Sequence, residues 1–319
     1  MKQLTIAFPL YNEGLLAKEF IETLDESVAA LKDYEVSLLI VNDGSTDDTA
    51  DQIQRARLKT IRGITLISLS RNVGHSYAVQ CLVDNACGQL DILMDADFQD
   101  DPACIPQLLE LHEKTGADVV RVARTEASGG LVERILFSAF RLIYRRLTHE
   151  TQSFGTFGLY SANAIALLRR FDDEAHRYFP GLVTKIGLRT AVLPLPRSER
   201  KRGRSKVGLR RLFRLAFDAL FSFSVFPIRI ASVLGVLVTV ISCAALLVIV
   251  FIRLCTHYAI PGWSSILTGI MFFGGVQLLF LGVLGEYVAR IFEQVKHRPH
   301  YFIESTRALD GVCHALPPR

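Results

Sequence analysis

The sequence predicts an α/β fold, with a mostly parallel, Rossmann-like sheet followed by amphipathic helices and a C-terminal two-helix transmembrane hairpin. Three observations predict it. Short apolar runs alternate with helical patterns through the first 120 residues, and polar clusters follow those runs. Two stretches without a charge, 23 residues at 230–252 and 22 at 264–285, stand near the end of the chain.

The elements follow in order. Residues 4–8 read as a short apolar strand and 15–31 as an amphipathic helix. Residues 36–41 (VSLLIV) are a second buried strand, followed by an acidic helix from Asp47. A third strand at 64–69, a helix over about 76–86 and a fourth strand at 91–94 complete the alternation. Strands that are apolar on both faces imply a sheet covered by helices on both sides. Ligands of such sheets bind beyond the carboxyl ends of the strands.

Each uncharged stretch exceeds the ~20 residues that a bilayer-spanning helix needs. Between them lie residues 253–263 with Tyr258, Pro261 and Trp263, a tight turn whose aromatics suit an interface. Arg197, Arg200, Lys201, Arg202, Arg204, Lys206, Arg210, Arg211 and Arg214 precede the first span; Arg290, Lys296 and Arg298 follow the second. The positive-inside rule then puts both termini and the large N-terminal part in the cytoplasm of a multi-pass protein. The opening MKQLTIAFPLYNE reads as a strand followed by an acid, unlike a signal peptide. Residues 131–147 and 209–226 interleave arginines with apolar residues at helical spacing, either as interfacial anchors or as helices packed on the domain with a solvated basic face.

The net charge of +4 averages two opposite regions. Residues 1–120 hold nine Lys and Arg against 20 Asp and Glu, whereas residues 121–227 hold 20 against eight. An acidic third beside a basic third asks for two different partners. Nucleic acid is excluded for the basic cluster, because it abuts a transmembrane stretch. The charged share of 21% excludes general disorder. Six cysteines in 319 residues exclude a disulfide scaffold, the lack of a C-x-x-C pair argues against a zinc or redox motif, and free thiols fit a reducing compartment.

The polar clusters carry the chemistry. Asp95 and Asp97, two residues apart at the fourth strand's end, can hold one hard cation, Mg²⁺ or Mn²⁺, together with a diphosphate. Asp43 can accept from a base N–H or a ribose hydroxyl, and Glu13 from ribose. Gly44-Ser45 reads equally as a helix-capping turn.

F-P-L-Y-N-E (8–13), V-N-D-G-S-T-D-D-T (41–49), S-R-N-V-G-H (70–75) and M-D-A-D-F-Q-D-D-P (94–102) resemble the sequential motifs of family 2 inverting glycosyltransferases with a GT-A fold. More narrowly, R-K-R-G-R-S-K (200–206), L-G-E-Y-V-A-R-I-F (284–292) and R-P-H-Y-F (298–302) are similar to polyprenyl-phosphate glycosyltransferases with two transmembrane helices. That resemblance runs from about residue 4 to 303. It implies that Pro9, Tyr11, Glu13 and Asp43 contact the nucleoside, and that Asp95, Ala96 and Asp97 hold the diphosphate and metal, with Gln99 a further ligand. Arg124 resembles an arginine that contacts phosphate, and Arg200, Ser205 and Lys206 resemble a basic loop near the phosphates. The partners implied are a nucleotide sugar (a UDP-sugar favoured), polyprenyl phosphate and the bacterial inner membrane. A homo-oligomer is implied as well, a tetramer favoured, and Gly274-Gly275 and Gly282-x-x-Gly285 allow close helix approach.

Two places depart from the pattern. Thr156 and Gly158 stand where many members carry the acid and arginine of G-D-F-R-L, and His75 stands where relatives often have Lys or Gln. The boundaries expected are a nucleotide-sugar half over 1–130, an acceptor half over 131–227, the hairpin over 228–290 and a cytoplasmic tail over 291–319. The reaction expected is attack by a lipid phosphate oxygen on the anomeric carbon of a nucleotide sugar. A processive polysaccharide synthase would carry Q-x-x-R-W, whereas the one tryptophan here is Trp263. A non-catalytic nucleotide-binding subunit would bind the donor without turnover.

Overall fold

The computed structural model describes residues 1–124, 154–171, 179–195, 262–296 and 299–309, with isolated positions between 233 and 255. Two compact units divide the chain: Met1–Lys206 with Arg298–Arg319, and Val207–His297.

The first unit is built on one eight-stranded sheet. In chain order its elements are β1 (Lys2–Leu10), α1 (Gly14–Ser27), β2 (Tyr34–Asn42), α2 (Thr49–Gln54), β3 (Ile64–Leu69), α3 (His75–Asn85), β4 (Leu90–Leu93) and α4 (Ile105–Thr115). There follow β5 (Val119–Arg124), β6 (Phe154–Ser161), α5 (Ala162–Leu168), α6 (Phe179–Lys185), β7 (Thr190–Leu195) and β8 (Ile303–Leu309). The strand order is β7-β5-β6-β4-β1-β2-β3-β8. β1 pairs in parallel with both β2 and β4, β2 with β3, and β5 with β7. Only β6 and β8 run against the rest. The mostly parallel α/β sheet is the one the sequence predicts.

Alternation along the strands sends side chains to two cores. Leu4, Ile6, Phe8 and Leu10 of β1 join Leu38 and Ile40 of β2 on the face covered by α1 and α4. Ala7, Leu39, Val41, Ile67 and Leu93 face α3, α5 and α6 on the other. A strand buried on both faces needs apolar residues at every position, which is why these runs are continuous.

β8 lies in the segment read from sequence as a tail, and it closes the β3 edge in antiparallel register, Thr65 opposite Ala308. The residues before it tie down α3. His300 stacks on Tyr77 at 4.8 Å, and the Tyr301 hydroxyl donates to Asp84 Oδ2 at 2.8 Å. Cys81, Cys104 and Cys255 are free thiols, whereas Cys87, also expected to be free, is disulfide-bonded.

In the second unit α7 (Trp263–Val295) contains the later uncharged stretch and continues past it; its 33 residues span about 50 Å at 1.5 Å per residue. Among the described residues it is the one helix long and apolar enough to cross a membrane, over Phe272–Ala289. Its apolar side chains, among them Phe272, Leu278, Leu281 and Val288, are exposed, where a core helix would bury them. The expected span at 230–252 lies mostly outside the described residues. Those described within it (Val233, Leu237, Val240, Ile241, Leu247 and Phe251 among them) are helical and exposed. The expected interfacial helices at 131–147 and 209–226 lie outside the described residues.

Candidate active site

β1 leads through α1 to β2 on one side, while β4 pairs on its other side, so a topological switch point falls between β1 and β4. The carboxyl ends of β1, β2, β3 and β4 share one edge, and β5, running the same way, ends there with Arg124. Of the residues named from sequence, Pro9, Tyr11, Glu13, Asp43, Asp95, Ala96, Asp97, Gln99 and Arg124 all fall at this edge. Arg200, Ser205 and Lys206 lie outside the described residues.

The loops at the edge are laced together. Asn12 takes a left-handed conformation (φ 53°), its N–H donates to Ser45 Oγ at 3.0 Å, and its Oδ1 accepts from the Thr46 N–H at 2.9 Å. The Glu13 N–H donates to Thr49 Oγ1. Asn has the short polar side chain that tolerates this backbone and bonds locally. Tyr11, just before it, is 45% exposed, as a ring open to a ligand would be.

Asp43 is buried, and its carboxylate accepts from the backbone of Val73 (2.8 Å) and Gly74 (3.0 Å) and from Asn72 Nδ2 (3.0 Å). Burial raises its pKa from the ordinary carboxylate value, against those backbone bonds and the nearby His75. Asp43 therefore organises the loop before α3, and the lone pairs left on its oxygens are what it can offer a nucleoside. Gly44 is required beside it: φ is +63°, and a Cβ would sit 2.3 Å from the Arg71 carbonyl carbon.

After β4 burial alternates residue by residue. Asp95, Asp97 and Gln99 are half-exposed, while Ala96, Phe98 and Asp100 are buried. Phe98 holds a left-handed φ of 59° and anchors the turn by packing edge-on against Phe20 at 5.2 Å. Such a backbone costs about 1–3 kcal/mol and persists only where packing over-determines it. The Asp95 N–H donates to Asp100 Oδ2 (3.0 Å), and the Gln99 N–H donates to Asp97 Oδ1 (3.0 Å).

The atom left over is Asp95 Oδ1, buried and without a hydrogen-bond partner. Among the described residues, its nearest cation-forming neighbour is His75 Nε2, 3.7 Å away. A buried carboxylate oxygen in this position is costly unless something meets it, and a divalent cation held with Asp97 fits. Among the described residues no group of three or more His, Cys, Asp or Glu could hold a metal, so ligand oxygens would complete any coordination at this pair.

Sequence reasoning gave no role to Asn72, Thr49 or Asp100, although each sits inside a motif it singled out. All three hold the loops that carry the candidate ligands. Their signal was position within the motif, since their residue types are ordinary turn residues.

The family profile described as "Glycosyl transferase family 2" matches residues 5–177. The chain belongs to glycosyl transferase family 2. This glycosyltransferase is 32% identical over 315 residues to an uncharacterized glycosyltransferase of Bacillus subtilis (strain 168), covering 97% of this chain and 95% of the relative. It is 32% identical to the bactoprenol glucosyl transferase of Shigella phage SfV, covering 96% and 99%. Among solved structures it is similar to glucosyl-3-phosphoglycerate synthase from Mycobacterium tuberculosis, solved with uridine diphosphate, at 17% identity and a TM-score of 0.47, covering 70% and 79%.

Proposed function

We propose that this family 2 glycosyltransferase moves a hexose or amino sugar from a UDP-sugar onto polyprenyl phosphate at the cytoplasmic face of the membrane, with inversion. The observation that carries the donor half is the partnerless Asp95 Oδ1 beside Asp97 at the switch point. Support for the acceptor half comes from relatives named bactoprenol glucosyl transferase that match almost end to end. The exposed apolar α7 supports attachment to the membrane, with residues 230–252 as the second span.

In this reading Pro9, Tyr11, Glu13 and Asp43 hold the nucleoside, and Asp95, Ala96 and Asp97 hold the diphosphate. Asp95 and Asp97, with Gln99 beside them, would hold Mg²⁺ or Mn²⁺, which when bound supplies Lewis-acid neutralisation of the leaving diphosphate. Arg124, Arg200, Ser205 and Lys206 orient the acceptor phosphate, whose oxygens suit arginine's fork and lysine's point charge. A phosphomonoester with a second pKa of about 6 is largely dianionic near neutral pH, so no strong base is needed. Its oxygen forms the new bond to the anomeric carbon as the bond to the diphosphate breaks, and the nucleoside diphosphate leaves with the electron pair. That step tolerates Thr156 where many members carry an acid.

The test is transfer of radiolabelled glucose from UDP-glucose to undecaprenyl phosphate in membranes, within a panel of UDP-, GDP- and TDP-sugars scored by lipid product mass. Asp97→Ala should abolish transfer while membrane insertion is unchanged. Wild-type turnover by that variant overturns the assignment of Asp97.

A further inference from the structure

We propose that His75 and Thr156 form one recognition unit for a hydroxyl of the sugar on the nucleotide, and so help set which donor the enzyme takes. The inference rests on the nucleotide-sugar reading above.

The pair is assembled from elements far apart in sequence. His75 opens α3 directly after the loop that Asp43 locks, so its backbone is fixed from the nucleoside side of the edge. Thr156 lies in β6, next to β4 in the sheet, and is 7% exposed. The His75 side chain is about half exposed and presents Nε2 to two oxygens at once: Thr156 Oγ1 at 3.5 Å and Asp95 Oδ1 at 3.7 Å. Both distances exceed the 2.7–3.2 Å of a well-formed N–H···O bond, so neither oxygen saturates the imidazole.

A neutral imidazole offers one donor and one acceptor, and a threonine hydroxyl one donor and two acceptors. A single hydroxyl between them can donate to one and accept from the other. The place suits the sugar: Thr156 stands on β6, across β4 from β1 and its Tyr11–Glu13 loop, and His75 links it to Asp95 at the strand end that would hold the diphosphate. These are also two of the positions at which the sequence departs from the motifs it resembles. Their contact here joins the two changes in one arrangement.

The experiment uses the full chain in detergent and calorimetric titration, in Mn²⁺, with UDP and with UDP-glucose, UDP-galactose and UDP-N-acetylglucosamine. The UDP-sugar that the wild type binds more tightly than UDP is then followed through His75→Ala, Thr156→Val and the double variant. Each single change should weaken that UDP-sugar about tenfold, the double change should add little more, and UDP affinity should stay within about twofold. His75→Gln and Thr156→Ser, which keep hydrogen-bonding groups, should restore most of the loss. An equal loss for UDP and UDP-sugar, strictly additive losses, no loss, or no UDP-sugar held more tightly than UDP by the wild type would each overturn the pair's role. Failure of the wild type to bind UDP at all would overturn the donor reading itself, and this inference with it.

Discussion

Asp91 is 1% exposed in β4, at the end of the strand remote from Asp95. Its Oδ1 accepts from the Gly88 N–H at 3.2 Å, and its Oδ2 has no partner. Burial raises its pKa from 3.8 to about 7, against smaller opposing effects of the Gly88 bond, Arg169 and Thr5. An acid whose folded pKa lies above its unfolded value binds more protons folded than unfolded in the window between them. Stability therefore falls as pH climbs from about 4 to about 7, and the penalty is complete above that. At 1.36 kcal/mol per unit the full penalty is about 4 kcal/mol, an upper bound, and about 2–3 kcal/mol of it develops between pH 5 and pH 8. Asp91→Asn removes the titration. Its amide brings a fixed offset of its own, so the quantity to read is how the difference from wild type changes with pH. Urea unfolding of detergent-solubilised protein, followed by far-UV circular dichroism at pH 5, 6, 7 and 8, should show the variant gaining on wild type by about 2–3 kcal/mol across the series. A pH-independent difference would refute the argument that Asp91 is held protonated by burial.

Two further perturbations test the site's supports. Gly44→Ala places a Cβ 2.3 Å from backbone at Arg71 in a left-handed conformation, so it should cost about 2 kcal/mol or more and weaken UDP binding, read by thermal unfolding and calorimetry. Tyr301→Phe deletes the bond to Asp84 and should cost about 1–2 kcal/mol, with faster amide exchange in α3 and β8 than in β1.

The four parallel strands were legible because strands buried on both faces must be apolar throughout, and each apolar run ends in a polar cluster. The apolar spacing predicts a first helix over 15–31, yet α1 ends at Ser27. Val28 is buried and Leu31 packs against the core from a turn, so the apolar pattern outlasts the helix; periodicity reports burial and is blind to backbone bonding. β8 was illegible for the opposite reason. It is an edge strand of mostly exposed residues, Ile303–Leu309, with no apolar run to mark it. In β5 a charged residue hid the strand: Arg121 is 4% exposed, donates to the Pro180 carbonyl at 3.0 Å and lies over the Phe154 ring at 3.7 Å. The acids posed a similar problem. Asp25 resembles Asp43 in type and is equally buried, but it caps the backbone of Lys59, Thr60 and Ile61, away from the edge. Composition cannot separate the two; strand order does.

The departures in β6 belong together for a reason that only the packing supplies. Thr156, Gly158 and Tyr160 share one face of the strand. Tyr160 is fully buried, and its hydroxyl donates back to the Thr156 carbonyl at 3.2 Å. It can do so because Gly158 between them has no side chain: a Cβ there would stand 3.3 Å from that hydroxyl and 2.6 Å from the Val120 carbonyl oxygen of β5. An arginine at 158 would need the space that Tyr160 occupies. The tyrosine in turn fixes the backbone of the residue whose Oγ1 faces His75. Replacing Thr156 by an acid alone would thus put a largely buried carboxylate near Asp95, without the arginine of the G-D-F-R-L motif that the strand resembles. The two departures in β6 are thus one packing arrangement, coupled through Tyr160, and not two independent losses from a motif.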